Sequence, residues 1–208
     1  LVTAYCDGAI HKQTEVGGVG GVIETPDELL VFFGMFAGST SSRSELAAAL
    51  TTLHHVNVLF PQHRKDKIVL MSDSMYVVRG ATQWAPIWRM NKWRTTVDRE
   101  EPSHVDLWKK ILLLAAGLPH LSWHYVPGHS GVPGNELADF LAQQSKRIVN
   151  ESYPYAGQVM TSGLLYGWDF TLKKAAFKAK EIEDGSLMKG IMERVEQVKW
   201  GDLGVKVL

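Results

Sequence analysis

The sequence predicts an α/β domain, a mixed five-stranded sheet with helices packed on it. Two patterns predict it. Residues 1–36 hold three strand-like runs joined by short turns, the signature of an antiparallel meander. From residue 41 onward, helical periods alternate with short apolar runs, as expected when later strands are reached through helical crossovers. The 208 residues, 45% apolar and 21% charged, have the composition of a globular protein long enough to bury a real core.

Each element has its own signal. "LVTAYCDG" alternates, with Val2, Ala4 and Cys6 on one face and Thr3, Tyr5 and Asp7 on the other, and reads as a strand ending at Gly8. "GGVGGVIE" and "LLVFFGMFAG" read as two more strands around the turn "TPDE". "SSRSELAAALTTLHHVNVLF" is Ala/Leu-rich at helical spacing, and Ser42-x-x-Glu45 opens it in capping-box form. "KIVLMSDS" is the continuous apolar run of a strand covered on both faces. "SMYVVRGATQW" reads as a short helix, and Pro86 interrupts the Trp-rich segment after it. "HVDLWKKILLLAAGL" is an amphipathic helix, "HLSWHYVP" a strand and "GNELADFLAQQSKRIV" a final helix.

Beyond about Asn150 the character shifts to an aromatic, Gly-punctuated stretch, then a helix-like run broken near Asp184-Gly185. This gives a main domain over residues 1–148 and a partly helical C-terminal extension over 149–208. Residues 150–208 carry eight basic and eight acidic side chains, so the extension is no basic arm, and it is expected to pack on the main domain or on a neighbouring segment.

Composition excludes several classes. Lys+Arg 22 against Asp+Glu 22 leaves no net charge, so nucleic-acid affinity has to come from a local patch. The single Cys6 cannot form an internal disulfide and no Cys/His cluster has zinc spacing, which points to a reducing, intracellular setting. No apolar run approaches the roughly 18 residues of a membrane span. The chain enters a strand at once without a Met, as expected of a domain within a longer polypeptide, a polyprotein among the possibilities.

Four carboxylates stand at element ends. Asp7 closes the first strand, Asp73 closes "IVLMSD", Glu45 opens the first long helix, and Asp139 lies in the first turns of the last. Singly, each has a structural explanation: Glu45 completes a capping box, Asp73 caps the next helix, and Asp139 favours the helix dipole. Together in one place they would repel and call for a cation. Oxygen-only ligation suits Mg²⁺ or Mn²⁺, and two such ions about 3.5–4 Å apart can activate a water and stabilise a leaving oxygen at a phosphodiester. His129 sits among the glycines of "VPGHSGVPGNELADFLA", a turn from which an imidazole can reach such a site and move protons near neutral pH.

"YCDG", "TSSRSELAAALTTL", "MSDSMYVVRG", "WAPIWRMNKWRT", "HVDLWKKI" and "VPGHSGVPGNELADFLA", in this order over roughly residues 1–148, resemble the type 1 ribonuclease H family. The resemblance implies a ribonuclease H-like fold, with three antiparallel strands, then parallel ones, and helices on both faces. It implies that Asp7, Glu45, Asp73 and Asp139 are metal-binding catalytic acids and that His129 assists proton movement or product departure. The implied reaction is two-metal cleavage of the RNA strand of RNA–DNA hybrids, leaving 3′-hydroxyl and 5′-phosphate ends.

Gly8, Ser41, Ser42 and Met75 fall where the family contacts RNA, and Arg43 between them could reach a phosphate. The family commonly has Asn at the position of Ser41 or Ser42 and Gln at that of Met75; serine still hydrogen-bonds, whereas methionine does so poorly. "WAPIWRMNKWRT" resembles the family's basic handle for the DNA strand. Arg89, Lys92 and Arg94 would neutralise phosphates, Trp93 would face substrate, and Trp84 and Trp88 would mainly pack. Alternatives remain: a domain linked to a reverse transcriptase in a retroelement or viral polyprotein, a catalytically silent scaffold, or a DNA-acting transposase or integrase relative. No carboxylate is missing, as a silent scaffold would suggest, and "GHSG…NELAD" argues against the last.

Overall fold

The structure, a computed structural model, describes residues 1–13, 15–27, 29–36, 39–145 and 170–171. Strands β1 (Val2–His11), β2 (Val16–Glu24) and β3 (Leu29–Phe36) form the antiparallel meander. Strand β4 (Ile68–Ser72) runs parallel to β1, and β5 (Leu121–Tyr125) parallel to β4. A two-residue strand, β6 (Phe170–Thr171), adds antiparallel to β3 opposite Val31 and Leu30, giving the order β5-β4-β1-β2-β3-β6. The rest of the 149–208 extension lies outside the described residues.

Antiparallel neighbours need only tight turns, whereas each parallel pair needs a crossover. Helix α1 (Ser41–Leu59) carries the chain from β3 to β4. The next crossover is α2 (Met75–Arg79), a π-helical turn over Gly80–Trp84, α3 (Ala85–Met90) and α4 (Val105–Ala115). Pro86 does not interrupt this stretch. It stands in the first turn of α3, where its missing N–H would have had no partner anyway. Helix α5 (Pro133–Ser145) follows β5. None of these helices is long and apolar enough to cross a membrane.

Both faces of the sheet are covered over β1 and β2. Val2, Ala4 and Cys6 join Ile23, Leu30 and Phe32 in one core with Leu46 and Leu53 of α1 and Trp108 of α4. Tyr5 faces the other way, onto α5, where a Cβ on Gly134 would stand 2.4 Å from its ring. The alternation in "VTAYCD" therefore marks two covered faces rather than a core face and a solvent face, and Val2 through Asp7 are all buried. Strand β1 also runs past Gly8, which pairs with Val19 inside the ladder. The glycine answers a close helix approach instead of a turn: a Cβ there would come within 2.3 Å of the Glu45 backbone nitrogen.

Candidate active site

The parallel ladder between β1 and β4 ends at Tyr5 and Met71. Just past it stand Asp7, inside β1 rather than closing it as the sequence suggests, and Asp73 after the end of β4, at the end of the parallel ladder where open α/β sheets take their ligands. Glu45, on the second turn of α1, is the third member. One carboxylate oxygen from each of Asp7, Glu45 and Asp73 lies within 4.8 Å of the other two. The Gly8 N–H joins two of them, donating to Asp7 Oδ1 at 2.7 Å and to Glu45 Oε2 at 3.1 Å.

This proximity has an electrostatic consequence. Asp7 is 5% exposed. Burial first, then the charges of Glu45, Asp73 and Asp139, push its pKa up to about 9, against the pull of the Gly8 N–H. Burial and Asp73 likewise push Glu45 up to about 8, against hydrogen bonds from Gly8 and Asp7. The trio alone thus favours retaining a proton between Asp7 and Glu45, and a bound cation would release it.

Asp139 stands outside the trio, although its charge reaches both Asp7 and Glu45. It is on α5, where its Oδ1 accepts from Gln143 Nε2 at 3.2 Å. His129 reaches it from the loop before α5, with Nδ1 3.9 Å from Asp139 Oδ2; the histidine side chain is 85% exposed and the aspartate's 24%. His129 has φ 52° and Gly131 φ 82°, so this loop holds two left-handed residues. The Gly131 N–H ties it to Glu136 Oε1 at 2.8 Å.

None of the acids serves the capping role that its position suggests. Thr40 caps α1, its Oγ1 accepting from the Arg43 N–H, so the expected box between Ser42 and Glu45 does not form. Ser74 caps α2, its hydroxyl accepting from the Val77 N–H, in place of Asp73. Glu136, not Asp139, is the acid in the first turn of α5. The carboxylates are spent on one another.

The remaining candidates surround this centre. Ser41 is exposed and Ser42 half-buried in the first turn of α1, and Met75, 38% exposed, opens α2 two residues after Asp73. Arg43 holds Asp106 of α4 through both guanidinium nitrogens, at 3.1 and 2.6 Å, which keeps Asp106 below the ordinary carboxylate range. Its fork is therefore engaged with protein. Trp84 stacks beside Tyr76 and Trp88 at centroid distances of 6.0 and 6.2 Å. Trp88 and Trp93 are half-buried against the core, and Lys109 Nζ lies 5.5 Å over the Trp93 ring. Arg89, Lys92 and Arg94 are exposed.

One residue of the site escapes a reading of the sequence. Asn135, which there looks like part of a helix start, is buried and donates from Nδ2 to Asp73 Oδ2 at 3.4 Å. Its only sequence signal is an amide in the first turn of the helix that bears Asp139.

The donor set is all oxygen, clustered and partly buried, and so fits Mg²⁺ or Mn²⁺ rather than a softer metal. The RNase H family model matches residues 1–147. The chain is 35% identical to the ribonuclease H of Cupriavidus necator over 144 residues, 69% of this chain and 93% of that one. It is 38% identical to the ribonuclease H of Alcanivorax borkumensis over 144 residues, 69% and 89% of the two chains. The foamy viral protease–reverse transcriptase, solved in complex with an RNA/DNA hybrid, shares the fold with a TM-score of 0.59 at 20% identity, over 70% of this chain and 20% of that one. The chain belongs to the RNase H family of enzymes.

Proposed function

We propose that the chain hydrolyses the RNA strand of RNA–DNA hybrids with two divalent ions, Mg²⁺ or Mn²⁺, leaving 3′-hydroxyl and 5′-phosphate ends. The observation that carries this reading is the approach of Asp7, Glu45 and Asp73 to within 4.8 Å of one another. Such a cluster costs stability until cations neutralise it. Asp7, Glu45, Asp73 and Asp139 would hold the ions. When bound, the pair supplies Lewis acidity on both sides of the scissile phosphodiester.

The chain's own groups do the rest. The Gly8 N–H keeps Asp7 and Glu45 turned toward each other. His129, next to Asp139 and open to solvent, carries a proton between the site's rim and water. Ser41, Ser42 and the Gly8 backbone recognise the 2′-hydroxyls that separate RNA from DNA, and Met75 packs beside them. Arg89, Lys92 and Arg94 neutralise phosphates of the DNA strand, with Trp84 and Trp93 as apolar backing. Arg43 can join them only by giving up Asp106.

Matched hybrid, duplex-DNA and duplex-RNA substrates test the reading, each with Mg²⁺ and with chelator. The expected result is cleavage of the hybrid's RNA strand alone, only with metal, and its loss in Asp73→Asn while hybrid binding survives. Loss of a metal ligand should exceed the about 10²–10³-fold cost of losing one electrostatic stabiliser. Cleavage that persists in chelator, or that favours duplex DNA, refutes the reading.

A further inference from the structure

We propose that Asn135 is a positioning residue that fixes the Asp73 carboxylate for metal binding, an inference that rests on the metal-site reading above. Asn135 is 2% exposed on the first turn of α5. Its Nδ2 donates to Asp73 Oδ2 at 3.4 Å, while its Oδ1, also buried, has no hydrogen-bond partner among the described residues. A buried amide with one long bond and one unsatisfied acceptor is poor for stability, since its desolvation is only partly offset. An apolar side chain of similar size would cost the fold less. Stability therefore does not account for an amide at this position, and what the amide does to Asp73 can.

The surroundings give that contact a direction. Gly128 leaves room beside the same oxygen, since a Cβ there would stand 2.9 Å from Asp73 Oδ2. Asp73 Oδ2 thus faces α5 and the loop before it, and the Asn135 amide is the group there that hydrogen-bonds it. A neutral donor does this without cancelling charge, whereas a lysine or arginine here would compete with a cation for Asp73. Asn135 also lies one helical turn before Asp139, on the same face of α5. One rigid helix thus supplies an acid to the rim of the site and the group that orients an acid of the trio. Hydrogen-bonded partners behind ligating carboxylates set metal affinity as well as rate.

The test measures Mn²⁺ affinity by calorimetry on the metal-free 208-residue protein, without nucleic acid, for wild type, Asn135→Val and Asn135→Ala. Thermal unfolding in chelator and hybrid kinetics accompany it. We expect Asn135→Val to unfold in chelator at or above the wild-type Tm, to bind Mn²⁺ about 10- to 100-fold more weakly, and to lose kcat with little change in KM for the hybrid. Asn135→Ala, which cannot overfill the site, should show the same loss of affinity if the valine variant fails to fold. Wild-type Mn²⁺ affinity in either folded variant overturns the proposal. So does failure of both to fold in chelator, which would make the amide a structural requirement. If wild type itself binds no Mn²⁺, the metal-site reading fails and takes the proposal with it. A defect confined to the Asn135 role shows only in the variants.

Discussion

Replacing Asp7 with asparagine exchanges a buried carboxyl for an amide of the same shape, and the metal-free protein should gain stability at neutral pH. Burial, then Glu45, Asp73 and Asp139, raise Asp7 to about 9 in the folded protein, whereas an unfolded aspartate titrates near about 3.9. Between those values the folded state binds more protons than the unfolded one. Stability contributed by the retained proton is full below about pH 4 and is lost as pH rises toward the folded value. At pH 7 the gap of about 3 pH units, at about 1.36 kcal/mol each, sets a ceiling of about 4 kcal/mol. The asparagine amide must find partners of its own, which offsets about 1–2 kcal/mol. The net gain is then about 2–3 kcal/mol, or about 4–12 °C in Tm for a chain of this size. Thermal unfolding in chelator from about pH 5 to about pH 8 reads it, and the gap between variant and wild type should widen with pH. Added Mg²⁺ should raise wild type and leave the variant nearly unmoved. An asparagine variant no more stable than wild type at pH 7, or a gap that does not depend on pH, refutes the reasoning.

Three further outcomes follow from the geometry. Gly8→Ala places a Cβ 2.3 Å from the Glu45 backbone nitrogen and 2.6 Å from the Ser44 carbonyl oxygen, so it should cost about 1–3 kcal/mol or more and pull Glu45 from the trio. Denaturant melts together with Mn²⁺ titration would show both effects. Asp106→Asn frees Arg43 from an ion pair whose two side chains are 23% and 52% exposed and should change stability by about 1 kcal/mol or less; a larger loss in urea unfolding would show that the pair ties α1 to α4. His129→Ala removes a side chain 85% exposed, so Tm should not move while hybrid cleavage falls by about 10²-fold. An unchanged kcat would remove His129 from the chemistry.

What the sequence makes legible, and what it hides, divides along one physical line. Strand alternation and helical period are local signals, and they place β1 to β5, α1, α2, α4 and α5 to within a few residues, whereas α3 goes unread because Pro86 looks like a break when it is a first-turn residue. Which face of β1 meets solvent is not local, because both are covered, and an alternating pattern looks the same over two cores as over one. Capping shows the ambiguity at single-residue scale. Thr40, Ser41 and Ser42 are all good N-cap residues, so composition cannot choose among them. The choice shows in what Glu45 does instead: it accepts from the Gly8 N–H, 37 residues away in sequence. Arg43 meets Asp106 across 63 residues and Asn135 meets Asp73 across 62, and neither pair leaves a trace in any window of local spacing. Asp73 and Glu45 could be nominated from their places near element ends, where local pattern and tertiary placement coincide, whereas Asp7 lies inside β1 and marks the end of the parallel ladder, not of the strand. Asn135 could not, since an amide in a first turn already has a sufficient local explanation. Residues with a ready local role are thus where a second, long-range role stays hidden, and the hydrogen bond from Asn135 to Asp73 is such a role.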